Sequence, residues 1–130
     1  MKNSLEILKK WSLDSSKGEA STPNRLVRRM LDKIPERIWR NSKSTFCDLS
    51  MGGGTFLVEI VNRLVYIYGY SQEDAISRVY GYEIRVKYVN LMRRMGFVNI
   101  FHKDSLEEEF NMKFDVVIGN PPYNNVREDK

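Results

Sequence analysis

The sequence predicts an α/β fold built on a doubly wound, mostly parallel sheet. The first observation is that short apolar segments alternate with segments of helical periodicity along most of the chain. The second is their order, strand, helix, strand, helix, strand, linker and strand, with one extra short helix before the second strand; this order is typical of a parallel sheet covered on both faces. The third is that glycines and polar residues follow the predicted strands, at the edge where such sheets bind ligands.

The chain has 130 residues, 42% of them hydrophobic and 29% charged, which is ordinary for one soluble domain. We divide it into an N-terminal helix and linker, residues 1–20, and an α/β domain, residues 21–130. One cysteine, Cys47, and one histidine, His102, exclude an internal disulfide and a zinc site of the usual spacing, so we predict no metal. We see no apolar run approaching the ~18 residues of a membrane span and no secretory signal. We therefore expect no membrane partner and a cytoplasmic location, in a bacterial or phage-infected cell.

Positive charge is concentrated at the N-terminal end. Residues 1–45 carry 11 Lys and Arg against 5 Asp and Glu, a net +6, whereas residues 46–130 carry 10 against 12, a net −2. A basic surface is compatible with a polyanionic partner such as nucleic acid. Lys and Arg on a helix are more often simply its solvated face, so the charge alone does not decide the matter.

The elements of the first half are a helix, a strand, a glycine turn and a second helix. Thr22 and Pro23 are typical of a helix start, and Pro35 marks the end of that helix or a break. Ser44 to Leu49 is short and mostly apolar, which predicts a strand. The residues after the glycine turn have helical periodicity from Phe56 to Tyr68.

The second half repeats the alternation. Ser71, with Asp74 three residues later, predicts a capped short helix, and Gly96 is a typical helix stop. The remaining predicted elements are a helix from Arg85 to Met95 and strands over Val79 to Glu83, Asn99 to His102 and Phe114 to Ile118.

Polar features follow all four predicted strands. Asp48 and the glycines 52–54 follow the first, Glu83 ends the second, Asp104 follows the third and Asn120 follows the fourth. Because the carboxyl ends of parallel strands share one edge of the sheet, we expect these residues to converge on one site.

The glycine turn lets backbone N–H groups approach a ligand at a helix N-terminus. It lacks the dinucleotide fingerprint, because Leu57 stands where the third glycine belongs, and no Gly-Lys-Ser/Thr follows for a phosphate loop. Its charged neighbours in sequence are Asp48 and Glu59, with no Lys or Arg close by. The turn therefore favours a cofactor that carries positive charge over a phosphate ligand.

Glu83 is placed to hold a ribose, because one carboxylate accepts hydrogen bonds from both hydroxyls of a diol. Its distance along the chain from the glycines exceeds the ~20 residues of the dinucleotide case, and the helix after Ser71 accounts for the excess. A surface acid that starts a helix is the alternative. Adenosine with positive charge and without phosphate describes S-adenosylmethionine.

Three motifs resemble those of adenine-N6 DNA methyltransferases of the Asn-Pro-Pro-Tyr type. DLSMGGGTF, Asp48 to Phe56, resembles the cofactor motif, and GNPPY, Gly119 to Tyr123, resembles the catalytic motif. GEASTPNRLVRRML, Gly18 to Leu31, is similar to the Thr-Pro segment that precedes the cofactor motif. Leu49 departs from the pattern, which often has Pro there. The three motifs in this order cover nearly the whole chain, which therefore resembles the N-terminal portion of such an enzyme.

The resemblance implies a Rossmann-like class I methyltransferase fold, incomplete after the fourth strand, with residues 21–130 as the N-terminal part of the cofactor-binding catalytic domain. It also implies roles for individual residues. The expected cofactor-binding residues are Thr22, Asp48, Gly52, Gly54, Phe56, Glu83, Asp104 and Leu106. The expected catalytic residues are Asn120, Pro121, Pro122 and Tyr123.

The catalytic motif fits the chemistry of amino methylation. An exocyclic N6 is a poor nucleophile because its lone pair is delocalised into the ring, and acceptors aimed at its two hydrogens favour a pyramidal nitrogen. The resemblance gives that role to the Asn120 side chain and the Pro121 carbonyl, and the following prolines stiffen both. Tyr123 offers a face to a base flipped out of DNA, a stacking contact worth about 1 to 3 kcal/mol.

Other interpretations stay open. The same motif occurs in protein glutamine and RNA guanine methyltransferases, and a cofactor-binding or assembly module without catalysis is a third alternative. We expect a fragment without a target-recognition domain, since the family's sheet continues after the catalytic motif, and loss of activity at this length is one of the open interpretations. In the family's strand order, 3-2-1-4, Val116, Val117 and Ile118 would form an exposed edge, which predicts self-association or a second polypeptide besides DNA as partners.

Overall fold

The structure, a computed structural model, describes residues 24–105 and 113–119, which form a four-stranded, all-parallel sheet with flanking helices. The predicted α/β fold is confirmed. The helices are α1 (Asn24–Leu31), α2 (Glu36–Arg40), α3 (Thr55–Tyr66), α4 (Gln72–Ser77) and α5 (Val86–Arg94). The strands are β1 (Phe46–Asp48), β2 (Val79–Tyr82), β3 (Ile100–Phe101) and β4 (Val116–Ile118).

The strand order is β3-β2-β1-β4, which confirms the predicted order. β1 lies in the interior of the sheet and is buried along its whole length. In its register Asp48 is opposite Gly81 of β2 on one side and Ile118 of β4 on the other. The carboxyl ends of these three strands therefore meet at Asp48, which puts the first predicted site residue at the centre of the sheet edge.

Helix α3 carries much of the apolar core. Its side chains Leu57, Ile60, Val61 and Leu64 are all fully buried, and the helix packs against α1, α4, β1 and β2. Burial of one such aliphatic side chain is worth about 1.5 to 3 kcal/mol. This packing fixes the start of α3, and hence the glycine turn before it, at the carboxyl edge of the sheet.

Helix α2 was not predicted. Pro35 ends the preceding helical pattern in the sequence, but in the structure it also serves as the N-cap of the next helix, with extended backbone at φ −61° and ψ 146°. Trp39 of α2 is 2% exposed and stacks on Tyr68 with ring centroids 5.5 Å apart. A five-residue helix held by one aromatic anchor leaves too short a periodicity to recognise in sequence.

Helix starts and stops agree closely with the sequence. Ser71 caps α4, its hydroxyl accepting from the Asp74 N–H at 3.0 Å, and Gly96 has the positive φ of a helix stop, 106°. Arg85 and Met95 flank α5 as its caps. All four strands are shorter than predicted because a strand extends only as far as its neighbour pairs with it, and an apolar pattern does not record the partner's length.

Strand β4 lies at the edge of the described sheet, as predicted. It pairs with β1, and Val117 is 53% exposed while Val116 and Ile118 are half-buried. Pairing of this edge with another chain stays a prediction.

The division at residue 20 and the predicted N-terminal helix lie outside the described residues and stay predictions. No helix within 24–105 and 113–119 has the length and apolar character required to cross a membrane.

Candidate active site

Asp48 is the buried centre of the site. It ends β1, is 1% exposed, and its Oδ1 accepts a hydrogen bond from the Ser50 N–H at 2.9 Å. Burial raises the pKa of Asp48 to about 7; the Ser50 hydrogen bond opposes the rise and the negative charge of Glu83 adds to it. No basic side chain in the described part of the chain pairs with this carboxylate. A cationic ligand group would complement it.

The glycine turn connects Asp48 to α3 and lies against the end of β2. Gly52 and Gly54 have φ of 51° and 85°, values that side-chain-bearing residues rarely adopt. The Met51 N–H donates to the Tyr82 carbonyl at 3.0 Å, and the Gly52 N–H donates to Glu83 Oε1 at 2.8 Å. The turn and the acid after β2 are thus joined directly, which confirms that these two predicted features meet.

Glu83 is buried at the same edge, with a side chain 2% exposed. Its Oε2 accepts from the backbone N–H of Arg85 at 2.9 Å and from Arg85 Nε at 2.7 Å. Burial opposes ionisation of Glu83, but the hydrogen bonds from Arg85 and Gly52 outweigh it and lower the pKa of Glu83. The carboxylate is therefore ionised and held in one orientation, which rules out the alternative of a plain surface acid.

Arg85 is the site residue that the sequence analysis missed. The expectation that no Lys or Arg lies close to the glycine turn was made from sequence neighbours and is wrong in space, because Arg85 reaches Gly52: its Nη2 lies 3.5 Å from where a Gly52 Cβ would be. Its charge is matched by Glu83, so the positive charge does not turn the site into a phosphate pocket. The signal was its position two residues after the predicted ribose acid.

Gly119 follows β4, begins the Gly-Asn-Pro-Pro-Tyr motif and lies close to Asp48. A Cβ on Gly119 would lie 3.0 Å from Asp48 Oδ1, and the Leu49 N–H donates to the Ile118 carbonyl at 3.3 Å. The residue that precedes Asn120 is thus packed against the first residue of the cofactor motif.

Asp104 and Phe56, two further predicted cofactor contacts, lie in different surroundings, one exposed and the other in the core. Asp104 is exposed and lies three residues beyond the last residue of β3, at the expected edge of the sheet. Phe56 is 3% exposed and belongs to the apolar core, so its position is that of a core residue and a cofactor contact stays a prediction. His102, beyond β3, bonds through Nε2 with the Ile84 carbonyl at 2.9 Å and joins the loops after β2 and β3.

The remaining predicted site residues lie outside the described residues, and their roles stay predictions. They are Thr22, Leu106, Asn120, Pro121, Pro122 and Tyr123.

The sheet order, the glycine turn after β1 and the acid after β2 define a Rossmann-like methyltransferase fold. The chain matches the family model described as N-6 DNA Methylase over residues 6–130, and it belongs to that family. It is also similar to the Type II methyltransferase M.VspI of Vibrio sp. (strain 343), with 29% identity over 121 residues. The match covers 86% of this chain and 27% of the relative, so the chain spans about a quarter of that protein's length.

Proposed function

We propose that this chain carries the cofactor site and catalytic loop of an enzyme that methylates the N6 amino group of adenine in DNA, with S-adenosylmethionine as methyl donor. The observation that carries the proposal is the convergence of Asp48, the glycine turn, Glu83 and Gly119 on one edge of the sheet. Membership of the N-6 DNA methylase family supports DNA as the substrate. Similarity to a Type II methyltransferase is consistent with a role in restriction-modification.

The residues present fit S-adenosylmethionine. Glu83 offers an ionised carboxylate for the ribose hydroxyls, and Asp48 offers a buried carboxylate without a basic partner in the described ranges for the cationic methionine part. Gly52 and Gly54 supply the positive φ that the turn requires. Thr22, Asp104 and Leu106 are the further proposed contacts, with Asp104 accepting from the adenine amino group.

When bound, S-adenosylmethionine supplies an electrophilic methyl group. The chain's own contribution is to orient and activate the base. In our proposal the Asn120 side-chain carbonyl and the Pro121 backbone carbonyl accept from the two amino hydrogens, Pro122 stiffens the loop, and Tyr123 stacks on the flipped base. The contact of Gly119 with Asp48 supports this assignment, because it starts the loop beside the proposed methionine site.

DNA as the partner is also supported by the cationic solvent face of α1. Arg25, Arg28 and Arg29 of α1 are exposed, whereas Val27 and Leu31 of the same helix are buried, and Lys33 just after the helix is exposed as well. The two acids of this region are already engaged: Asp32 pairs with Arg63, and Glu36 pairs with Arg40. The remaining positive charge is available for phosphates.

The first experiment is calorimetric titration of S-adenosylmethionine into the chain, beside Glu83→Ala. We expect binding that the substitution weakens at least tenfold, since it removes a carboxylate that would accept two hydrogen bonds. Absence of binding to the unaltered chain would refute the cofactor assignment.

The second experiment tests the reaction. Transfer of a labelled methyl group to DNA, followed by nucleoside analysis, should yield N6-methyladenine, and Asn120→Ala should abolish it. Label in glutamine or in RNA guanine instead would establish one of the alternative substrates. Cofactor binding without transfer to any substrate would indicate a binding module.

A further inference from the structure

We propose that the Arg85 guanidinium is a displaceable latch on the cofactor site. In the free chain it fills the two acceptor positions of Glu83 that a vicinal diol takes when the ligand binds. The inference rests on the proposed function, because it concerns the ribose of the proposed cofactor.

The hydrogen bonds of Glu83 account for the whole acceptor capacity of its carboxylate. A carboxylate has about four acceptor positions, two on each oxygen. Oε1 accepts from the Gly52 N–H at 2.8 Å and from Arg85 Nη2 at 3.4 Å. Oε2 accepts from the Arg85 backbone N–H at 2.9 Å and from Arg85 Nε at 2.7 Å. A diol therefore gains no acceptor on Glu83 unless one of these donors leaves.

Of the groups that donate to Glu83, the Arg85 side chain is the one that can rotate away while the backbone stays in place. The Gly52 N–H is fixed by the turn, which is tied to β2 through the bond from Met51 to Tyr82. The Arg85 N–H belongs to the N-cap of α5. The Arg85 side chain is 54% exposed, against 2% for that of Glu83, so its guanidinium regains water when it rotates outward. Because Glu83 is buried, the guanidinium leaves readily only when another pair of donors takes its place on the carboxylate.

The hydrogen-bond donors of the Arg85 guanidinium match those of the vicinal diol that would replace it. It donates one hydrogen bond to each oxygen of Glu83, and the two hydroxyls of a vicinal diol would donate the same pair. It also occupies the space beside the turn, with Nη2 3.5 Å from the position of a Gly52 Cβ and its centre 4.6 Å from the Tyr88 ring centroid. In the free chain the latch keeps a buried carboxylate neutralised. Ligand binding then includes the cost of opening it.

The test compares Arg85→Met with Lys87→Met. Methionine keeps much of the aliphatic stem of Arg85 and removes its donors. Lys87 is exposed and lies over the same Tyr88 ring at 5.0 Å, so its substitution controls for the loss of one positive charge beside the site. The probe is S-adenosylhomocysteine, which keeps the ribose diol without the sulfonium charge. We expect Arg85→Met to bind it about fivefold more tightly than the unaltered chain and Lys87→Met to stay within about twofold.

A second pair of probes identifies the diol. The gain from Arg85→Met should appear with adenosine and vanish with 2′,3′-dideoxyadenosine, which lacks both hydroxyls. A merely structural effect of the substitution would change both probes alike. If Arg85→Met does not fold, Arg85→Lys retains the charge but lacks the rigid planar fork that matches the two carboxylate oxygens, and a gain of about twofold is expected from it.

The outcomes separate the latch from the proposed function. If the unaltered chain binds S-adenosylhomocysteine and Arg85→Met binds it equally or more weakly, the latch is refuted and Arg85 positions Glu83 instead. A gain that persists with the dideoxy probe also refutes it. If neither protein binds any of the probes, the cofactor assignment itself fails, and the latch with it.

Discussion

A Cβ atom on Gly119 would lie 3.0 Å from Asp48 Oδ1, so the backbone that enters the catalytic motif touches the acid that begins the cofactor motif. That separation is tighter than ordinary van der Waals contact. The two motifs, 71 residues apart along the chain, are brought together by the parallel pairing of β1 with β4, in which Asp48 is opposite Ile118.

Gly119→Ala is expected to damage both motifs. The methyl group would press on Asp48, and the φ of Gly119, 154°, is one that side-chain-bearing residues rarely adopt. We expect a loss of about 1 to 3 kcal/mol in the free energy of unfolding, together with weaker binding of S-adenosylmethionine. Thermal unfolding and calorimetry measure the two effects.

The matched control for Gly119→Ala is Gly69→Ala. Gly69 also has positive φ, 81°, but open space where its Cβ would be. Gly69→Ala should lower the free energy of unfolding through backbone strain alone and leave cofactor binding unchanged. Equal effects of both substitutions on binding would contradict a specific role for the contact with Asp48.

The sequence predicted the topology and the meeting of Asp48, the glycine turn and Glu83. Alternating strands and helices imply a parallel sheet, and residues at the carboxyl ends of its strands then lie along one edge. The sequence did not predict α2, whose five residues are held by the distant stack of Trp39 on Tyr68. Nor did it predict Arg85 beside Gly52. The position of Arg85 two residues after Glu83 was the available signal, but the direction of its side chain depends on the backbone geometry at the N-cap of α5.

Asp48→Asn is expected to stabilise the free chain at alkaline pH. The pKa of Asp48 is about 7 in the folded chain against an ordinary value of 3.8. Between these values the folded state binds more protons than the unfolded state, so stability falls as pH rises from about 4 to about 7 and then levels off. The Asn variant lacks this loss. Its free energy of unfolding should exceed that of the unaltered chain by about 1 to 3 kcal/mol at pH 8 and equal it at pH 4.

Urea unfolding at both pH values measures the stability of Asp48→Asn. The control is Glu73→Gln, an exposed acid, for which the difference from the unaltered chain should be similar at both pH values. A difference for Asp48→Asn that does not grow with pH would mean that the burial of this carboxylate carries no such penalty.

Binding of S-adenosylmethionine should strengthen as pH rises toward neutrality. A cationic methionine group requires the ionised form of Asp48, whose pKa is about 7 in the free chain. Below that value the fraction of chains with an ionised Asp48 grows with pH, so the Kd should fall on the order of tenfold between pH 5.5 and pH 7. At the lower pH, binding should be accompanied by release of a proton from Asp48. Calorimetry in two buffers of different ionisation enthalpy measures both quantities.

Methylthioadenosine is the control ligand for this pH effect, since it keeps the nucleoside and lacks the charged methionine groups. Its Kd should be nearly constant over the same range, and so should that of S-adenosylmethionine for Asp48→Asn. A pH dependence shared by both ligands would assign the titration to another group.

DNA affinity should depend on the cationic face of α1. Arg25 and Arg29 are exposed one helical turn apart on this face, so one phosphate contact from each is expected. Replacing both with Gln should weaken DNA binding about tenfold and lower the slope of log K against log salt by about 2, with little change in sequence preference. The control replaces two exposed cations elsewhere, Arg94 and Lys113, and should leave the slope unchanged. Equal losses from both double variants would show attraction by net charge alone, and no loss from either would remove α1 from the DNA interface.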